Sequence, residues 1–223
     1  GGFLLALALG LALAALAAKG ITRIRTSARE PEIEELQKYI NRCGGKVRGA
    51  GTDTIEIEGG RSLTGCEHSI TGDRIEAGTY LLMTLATGGD VLLKGLERGT
   101  LGPLISLLEE GGYHVGYSRD EIWAAAKGDE RMRCSVATAP YPGFPTDLQP
   151  QLAAFLTSVG KGSSIEENIF ENRFGYTKEL KKMGADIEIS EKKVIIKNNN
   201  ILCGADVRAG DLRGGAALVI AGL

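Results

Sequence analysis

The sequence predicts an α/β protein built by repeating one unit, with helices gathered inside a shell of sheets. Three observations lead there. A phrase in which an amphipathic helix stops at Gly-Gly or Gly-Ala, with a strand starting two residues later, occurs at residues 33–47 (IEELQKYINRCGGKV), 101–115 (LGPLISLLEEGGYHV) and 176–187 (YTKELKKMGADI). The first glycines of the three copies, Gly44, Gly111 and Gly184, stand 67 and 73 residues apart. Helical runs such as residues 3–18 (FLLALALGLALAALAA) are too apolar to face water on every side, so they must pack on one another. An ordinary two-layer α/β sandwich is the plainer alternative.

Residues 3–18 invite a membrane reading. Sixteen residues fall short of the roughly 17–25 that cross a bilayer, Gly10 interrupts them, and no Lys or Arg precedes them as in a signal peptide. A buried core helix is the expectation. Residues 74–87 and 146–159 repeat that helix, each ending before glycine and another strand. After each glycine phrase a two-stranded hairpin is expected, over residues 46–57, 113–125 and 186–197, with polar turns between runs carrying β-branched residues. Residues 211–223 open a fourth copy and stop in an apolar run without a cap, as if cut inside a helix. One unit therefore reads helix, strand, helix, strand, strand.

Bulk charge excludes two classes of function. With 26 basic and 28 acidic residues the chain carries a formal charge of −2, so its totals show neither a nucleic-acid stripe nor an acidic disordered tail. Cys43, Cys66, Cys134 and Cys203 are far apart in sequence and form no C-x-x-C pair, which reads as free thiols in a reducing compartment.

Chemistry is expected at the helix starts. Asp73, Asp147 and Asp211 each stand at one, and parallel helices would bring their N-termini and dipole ends to one face suited to anions. Asp73 reads foremost as a simple N-cap. Asp147 differs, because Pro140, Pro142 and Pro145 give a stiff approach to it. Arg173, between Phe170 and Phe174, offers a planar fork suited to carboxylate or phosphate.

Taken together, AREPEI (28–33), GAGTDTIEI (49–57), DRIEAGT (73–79), TAPYPGFPTD (138–147), FENRF (170–174), MGA (183–185) and DLR (211–213) make the chain resemble the UDP-N-acetylglucosamine enolpyruvyl transferases of the EPSP synthase-like family, from about residue 20 onward. The resemblance implies an inside-out α/β barrel with six units in two domains. Residues 1–70 would be the last unit of one domain, and residues 71–223 two units of the other plus the start of a further one. It implies transfer of an enolpyruvyl group from phosphoenolpyruvate to the sugar 3-hydroxyl through a tetrahedral intermediate. This is a cytoplasmic step of peptidoglycan synthesis that needs no metal or organic cofactor, no nucleic acid and no membrane. Asp147 would contact the sugar hydroxyl as general base, and Ile169 would give a backbone contact to the sugar nucleotide. Arg173, Asp211 and Arg213 would line the cleft, while Arg74 matches an arginine to which no role is assigned. The family's Lys-Asn pair and reactive-cysteine loop precede the matched region, and a further phosphate-binding arginine follows it. The first helix lacks the family's usual polar opening, and Gly214-Gly215 weakens the last one. The chain alone is therefore expected to be inactive without a complementary half. The alternative is a truncated or redesigned non-catalytic scaffold.

Overall fold

The computed structural model describes residues 2–97, 99–118, 120–128 and 130–223, with side chains from residue 7 onward. Gly1, in the phrase that opens the first helix without a polar residue, and Arg119, in the turn of the second expected hairpin, lie outside the described residues. The chain divides into two compact units, Gly1–Thr71 with Pro140–Pro142, and Gly72–Ala139 with Gly143–Leu223.

In the first unit, α1 (Gly2–Ala17) and α2 (Pro31–Arg42) pack with a sheet of β1 (Gly20–Arg25), β2 (Val47–Arg48) and β3 (Thr54–Gly59). The strand order is β1-β3-β2, and both pairings are antiparallel. Ile33 and Ile40 of α2 meet Val47, Ile55 and Ile57 in a small core. Helix α1 corrects the expectation of a helix buried on all sides. Only Ala8, Ala12 and Ala15 of its described side chains are buried, whereas Leu7, Leu11 and Leu13 are 45%, 44% and 55% exposed. Small residues let one stripe approach the sheet closely, Leu9 and Leu16 pack partly against the same core, and Leu7, Leu11 and Leu13 project outward. No helix among the described residues is long and apolar enough to cross a membrane.

The second unit holds two further copies. The first comprises α3 (Arg74–Ala86), β4 (Asp90–Lys94), α4 (Gly102–Glu110), β5 (His114–Ser118) and β6 (Glu121–Ala125). The second comprises α5 (Gln149–Val159), β8 (Ser164–Glu166), α6 (Gly175–Lys182), β9 (Asp186–Ser190) and β10 (Lys193–Asn198), preceded by a short strand β7 (Ser135–Ala137) and followed by α7 (Leu212–Gly222). Strand orders β4-β6-β5 and β7-β8-β10-β9 repeat the first-third-second order of β1-β3-β2, with β7 added at one edge. All three glycine phrases are followed by paired antiparallel strands. Helices α3, α5 and α7 pack on one another. Leu81, Leu82, Leu148, Leu152, Phe155 and Leu156 are almost wholly buried among them, so helices occupy the interior and the two sheets lie outside them.

The helix stops share one geometry, and it corrects the sequence register. Gly44, Gly112 and Gly184 have φ of +91°, +86° and +98°, values that L side chains resist. Each N–H bonds back to a carbonyl three residues earlier, at 3.1, 3.0 and 3.0 Å, and the following N–H reaches five back, from Gly45 to Ile40, Tyr113 to Leu108 and Ala185 to Leu180. Gly112, rather than Gly111, is therefore the partner of Gly44 and Gly184, because α4 extends one residue further into its glycine pair. Cys43 and Cys66, distant in sequence, come together with their sulfurs 3.3 Å apart.

Candidate active site

The site grows from an unusual piece of the second unit. Strands β7 and β8 run parallel, pairing Ser135 with Ser164, Val136 with Ile165 and Ala137 with Glu166, so the chain leaves both at the same end. Thr138 and Glu167 are the next residues, and the Thr138 hydroxyl donates to Glu167 Oε1 at 2.9 Å. The ends of parallel strands are where open α/β sheets commonly hold ligands. From Thr138 the proline-bearing stretch leads into a 3-10 turn at Thr146–Leu148, and α5 begins only at Gln149. The expected helix over residues 146–159 thus starts with a tighter turn, which carries Asp147.

Asp147 is held between two arginines. Arg173 Nη2 lies 2.7 Å from Oδ1, and Arg213 Nη2 lies 2.9 Å from Oδ2. The three side chains are 27%, 18% and 25% exposed, so the triad is accessible from solvent but only partly screened by it. Burial pushes the Asp147 carboxyl upward, yet the two guanidinium charges outweigh it and hold the group below its usual value. Arg173 is fixed twice more. Its Nη1 donates to Thr146 Oγ1 at 2.8 Å, and its guanidinium carbon lies 4.6 Å from the centre of the Phe170 ring.

The remaining sequence-predicted residues play different parts. Asp211 is the N-cap of α7, accepting from the Arg213 and Gly214 amides at 3.0 and 2.9 Å, so it sets where Arg213 stands rather than joining the triad. Asp73 caps α3 in the same way, accepting from Ile75 and Glu76. The amide of Ile169 is committed to Glu167 Oε1 at 2.8 Å. Arg74 is buried at the start of α3. Gly214 allows α7 to approach α6, because a Cβ there would lie 3.3 Å from Tyr176 Cβ and 3.1 Å from Asp211 Oδ2. Sequence reasoning missed Glu167, Thr138 and Thr146, and also Gln149 and Tyr176, which lie beneath the triad. Gln149 Nε2 donates to the Tyr176 hydroxyl at 2.7 Å. Burial, partly offset by that bond, drives the phenol far above its usual range, so it is neutral. Among the described residues, no three His, Cys, Asp or Glu side chains converge as a metal site.

Residues 7–223 match the model of the EPSP synthase (3-phosphoshikimate 1-carboxyvinyltransferase) family. The chain belongs to the EPSP synthase family. Relatives within it include UDP-N-acetylglucosamine 1-carboxyvinyltransferase 2 of Caldanaerobacter subterraneus subsp. tengcongensis, 48% identical over 95% of this chain and 51% of the relative. UDP-N-acetylglucosamine 1-carboxyvinyltransferase 1 of Carboxydothermus hydrogenoformans is 46% identical over 96% of this chain and 50% of its own length. The enolpyruvyl transferase NikO from Streptomyces tendae has the same fold, with a TM-score of 0.81 over 94% of this chain and 50% of that one, at 24% identity. The inside-out α/β fold expected from the motifs is thus the EPSP synthase family's own. The chain spans about half the length of the curated relatives it matches.

Proposed function

We propose that this chain supplies one wall of an enolpyruvyl-transfer site, moving the enolpyruvyl group of phosphoenolpyruvate to the 3-hydroxyl of UDP-N-acetylglucosamine in cytoplasmic peptidoglycan precursor synthesis. In this reading residues 1–70 are the last unit of one domain, and residues 71–223 are two units of the other with the opening of a further one. The observation that carries it is the Asp147 carboxylate clamped between Arg173 and Arg213.

That clamp has a chemical use. A carboxylate facing two guanidinium groups is a weak base, because their charge stabilises its ionised form. Phosphoenolpyruvate is itself an anion and competes for the same donors. Each arginine drawn to phosphate or carboxylate restores basicity to Asp147, so the base strengthens as the co-substrate arrives. The sugar hydroxyl then passes its proton to Asp147 as its oxygen bonds to C2 of the enolpyruvyl group, while the C2–C3 double bond opens and C3 takes up a proton from solvent or from the opposite wall. Loss of a C3 proton as phosphate departs from C2 restores the double bond in the product. The arginines stabilise the anionic tetrahedral intermediate, and Ile169 and Asp211 border the sugar nucleotide.

Turnover also needs the lysine, cysteine loop and distal arginine that the resemblance places outside these residues. Losing three charge-assisted contacts costs about 5–9 kcal/mol, on the order of 10³–10⁶ in rate. The 223-residue chain alone is therefore expected to bind UDP-N-acetylglucosamine weakly and to release no phosphate. Calorimetric titration with the sugar nucleotide, repeated on Asp147→Ala and Arg173→Ala, tests this. Binding that both substitutions abolish supports the reading. No binding by the unsubstituted chain points instead to a scaffold that keeps the fold without the function.

A further inference from the structure

Glu167 is the most completely engaged buried carboxylate of the site, at 1% exposure. Its Oε1 accepts from the Thr138 hydroxyl at 2.9 Å and from the amides of Ile169 and Phe170 at 2.8 and 3.1 Å. Its Oε2 accepts the Thr146 hydroxyl at 2.8 Å. A hydroxyl has one proton, and Thr146 gives it to Glu167, so a lone pair of the same oxygen is left to accept Arg173 Nη1 at 2.8 Å. The Phe170 ring that lies against the Arg173 guanidinium belongs to the residue whose amide Glu167 also holds. Both supports of Arg173, one polar and one aromatic, thus lead back to one carboxylate.

We propose that Glu167 is a positioning residue that aims Arg173 at Asp147, acting through the polarity of the Thr146 hydroxyl and through the backbone of residue 170. The inference rests on the reading of Asp147 and Arg173 as the reacting site, but concerns only how they are held. A carboxylate is required because it accepts at both oxygens. An amide at residue 167 could keep the three donors on its oxygen, yet its NH₂ would face Thr146 Oγ1. The Thr146 proton would then turn toward Arg173, setting donor against donor and releasing the guanidinium.

The test is the titration of the Asp147 carboxyl in the full 223-residue chain by carbon-detected NMR, with amide hydrogen exchange at residues 169 and 170. Among the described residues, Arg173 and Arg213 are the charged groups paired with Asp147. Thr146→Val removes the hydroxyl while keeping the shape, and is expected to raise the Asp147 midpoint by about one pH unit, as losing one guanidinium contact should, leaving exchange at 169 and 170 unchanged. Glu167→Gln is expected to raise the midpoint similarly and to speed that exchange as well. A carboxylate that only fastened the loop would alter exchange and leave the Asp147 titration where it was, so an unmoved midpoint in Thr146→Val overturns the proposal even if Glu167→Gln fails to fold. A chain that shows the expected shifts but does not bind UDP-N-acetylglucosamine would leave the positioning role standing and sink the functional reading instead.

Discussion

Helices α1 and α5 occupy the same place in two copies of the repeat, and their compositions point the wrong way about which is more enclosed. Helix α1 has no charged or hydrogen-bonding side chain, yet its leucines at residues 7, 11 and 13 face outward. Helix α5 carries Gln149, Gln151 and Thr157, and all three are buried. The difference is not the number of neighbours but how much of the helix they cover, since residues 149–157 of α5 are all buried and, of the described side chains of α1, only three alanines are. Helix α5 packs against α3, α7 and β10, whereas α1 meets α2, β1 and β3 mainly through a stripe of alanines. Enclosure then dictates what the polar groups must do: Gln149 reaches Tyr176, Gln151 donates to Thr79 at 3.1 Å, and the Thr157 hydroxyl returns to the Ala154 carbonyl at 2.6 Å. Hydropathy describes what a helix would tolerate; packing decides what it receives.

The comparison can be broken most directly by truncating a leucine in each helix. Leu152→Ala in α5 is expected to cost about 2–5 kcal/mol, since a fully buried side chain leaves a cavity. Leu11→Ala in α1 is expected to stay within about 0.5 kcal/mol. Equal losses in denaturant unfolding would show that α1 is as enclosed as α5. A smaller effect, about 1–3 kcal/mol, is expected for Gln149→Leu, which strands the buried Tyr176 hydroxyl; an unchanged unfolding midpoint would mean that the phenol has another partner.

The smallest effect depends on pH. The folded Asp147 carboxyl titrates below its ordinary value near 3.8, so the stability it contributes is present above that value and fades as pH falls through the folded one. Asp147→Asn, which leaves Arg173 and Arg213 facing each other, is expected to lower the melting temperature at pH 7 by a few degrees, at roughly 2–4 °C per kcal/mol for a chain of this size. The gap to the unsubstituted protein should narrow as the pH falls through the folded titration. A gap that stays constant with pH would show that the triad adds nothing to folding.

Much of this was legible in the sequence because the repeat writes itself in glycines. A helix stop that needs a positive φ leaves a mark that survives divergence around it, and the three hairpins follow from it. The one-residue slip at Gly111 and Gly112 arose because a glycine pair offers two candidate stops, and only the hydrogen bonds distinguish them. Asp147, Arg173 and Arg213 were readable because they sit in the motifs that carry the family resemblance, from the ten residues that end at Asp147 to the three that end at Arg213, and the structure brings those three together. Asp211 was readable as a helix start, but whether its carboxylate faced outward or capped its own helix depended on a backbone angle. Glu167 left no local mark. It follows a three-residue strand in an acidic run, and what distinguishes it is Thr138, 29 positions earlier, joined to it through a parallel pairing that no hairpin signal announces. The meeting of Cys43 and Cys66 was hidden for the same reason, since it depends on how residues 60–71 return toward the end of α2.

The parallel pairing of β7 with β8 has a kinetic consequence. The hairpins β5–β6 and β9–β10 join neighbours in sequence and can close early, because little chain entropy is lost in bringing their ends together. Strand β7 cannot meet β8 until the intervening segment has turned back through α5, and Arg213 cannot reach Asp147, 66 positions away, until α7 has docked. The polar cluster is therefore expected to be among the late parts of the second unit to assemble, in keeping with the slowness of long-range contacts. During synthesis, the full clamp of two arginines on one carboxylate would wait until nearly the whole segment had emerged, closing as α7 brings Ala217, Leu218 and Ile220 into the apolar interior.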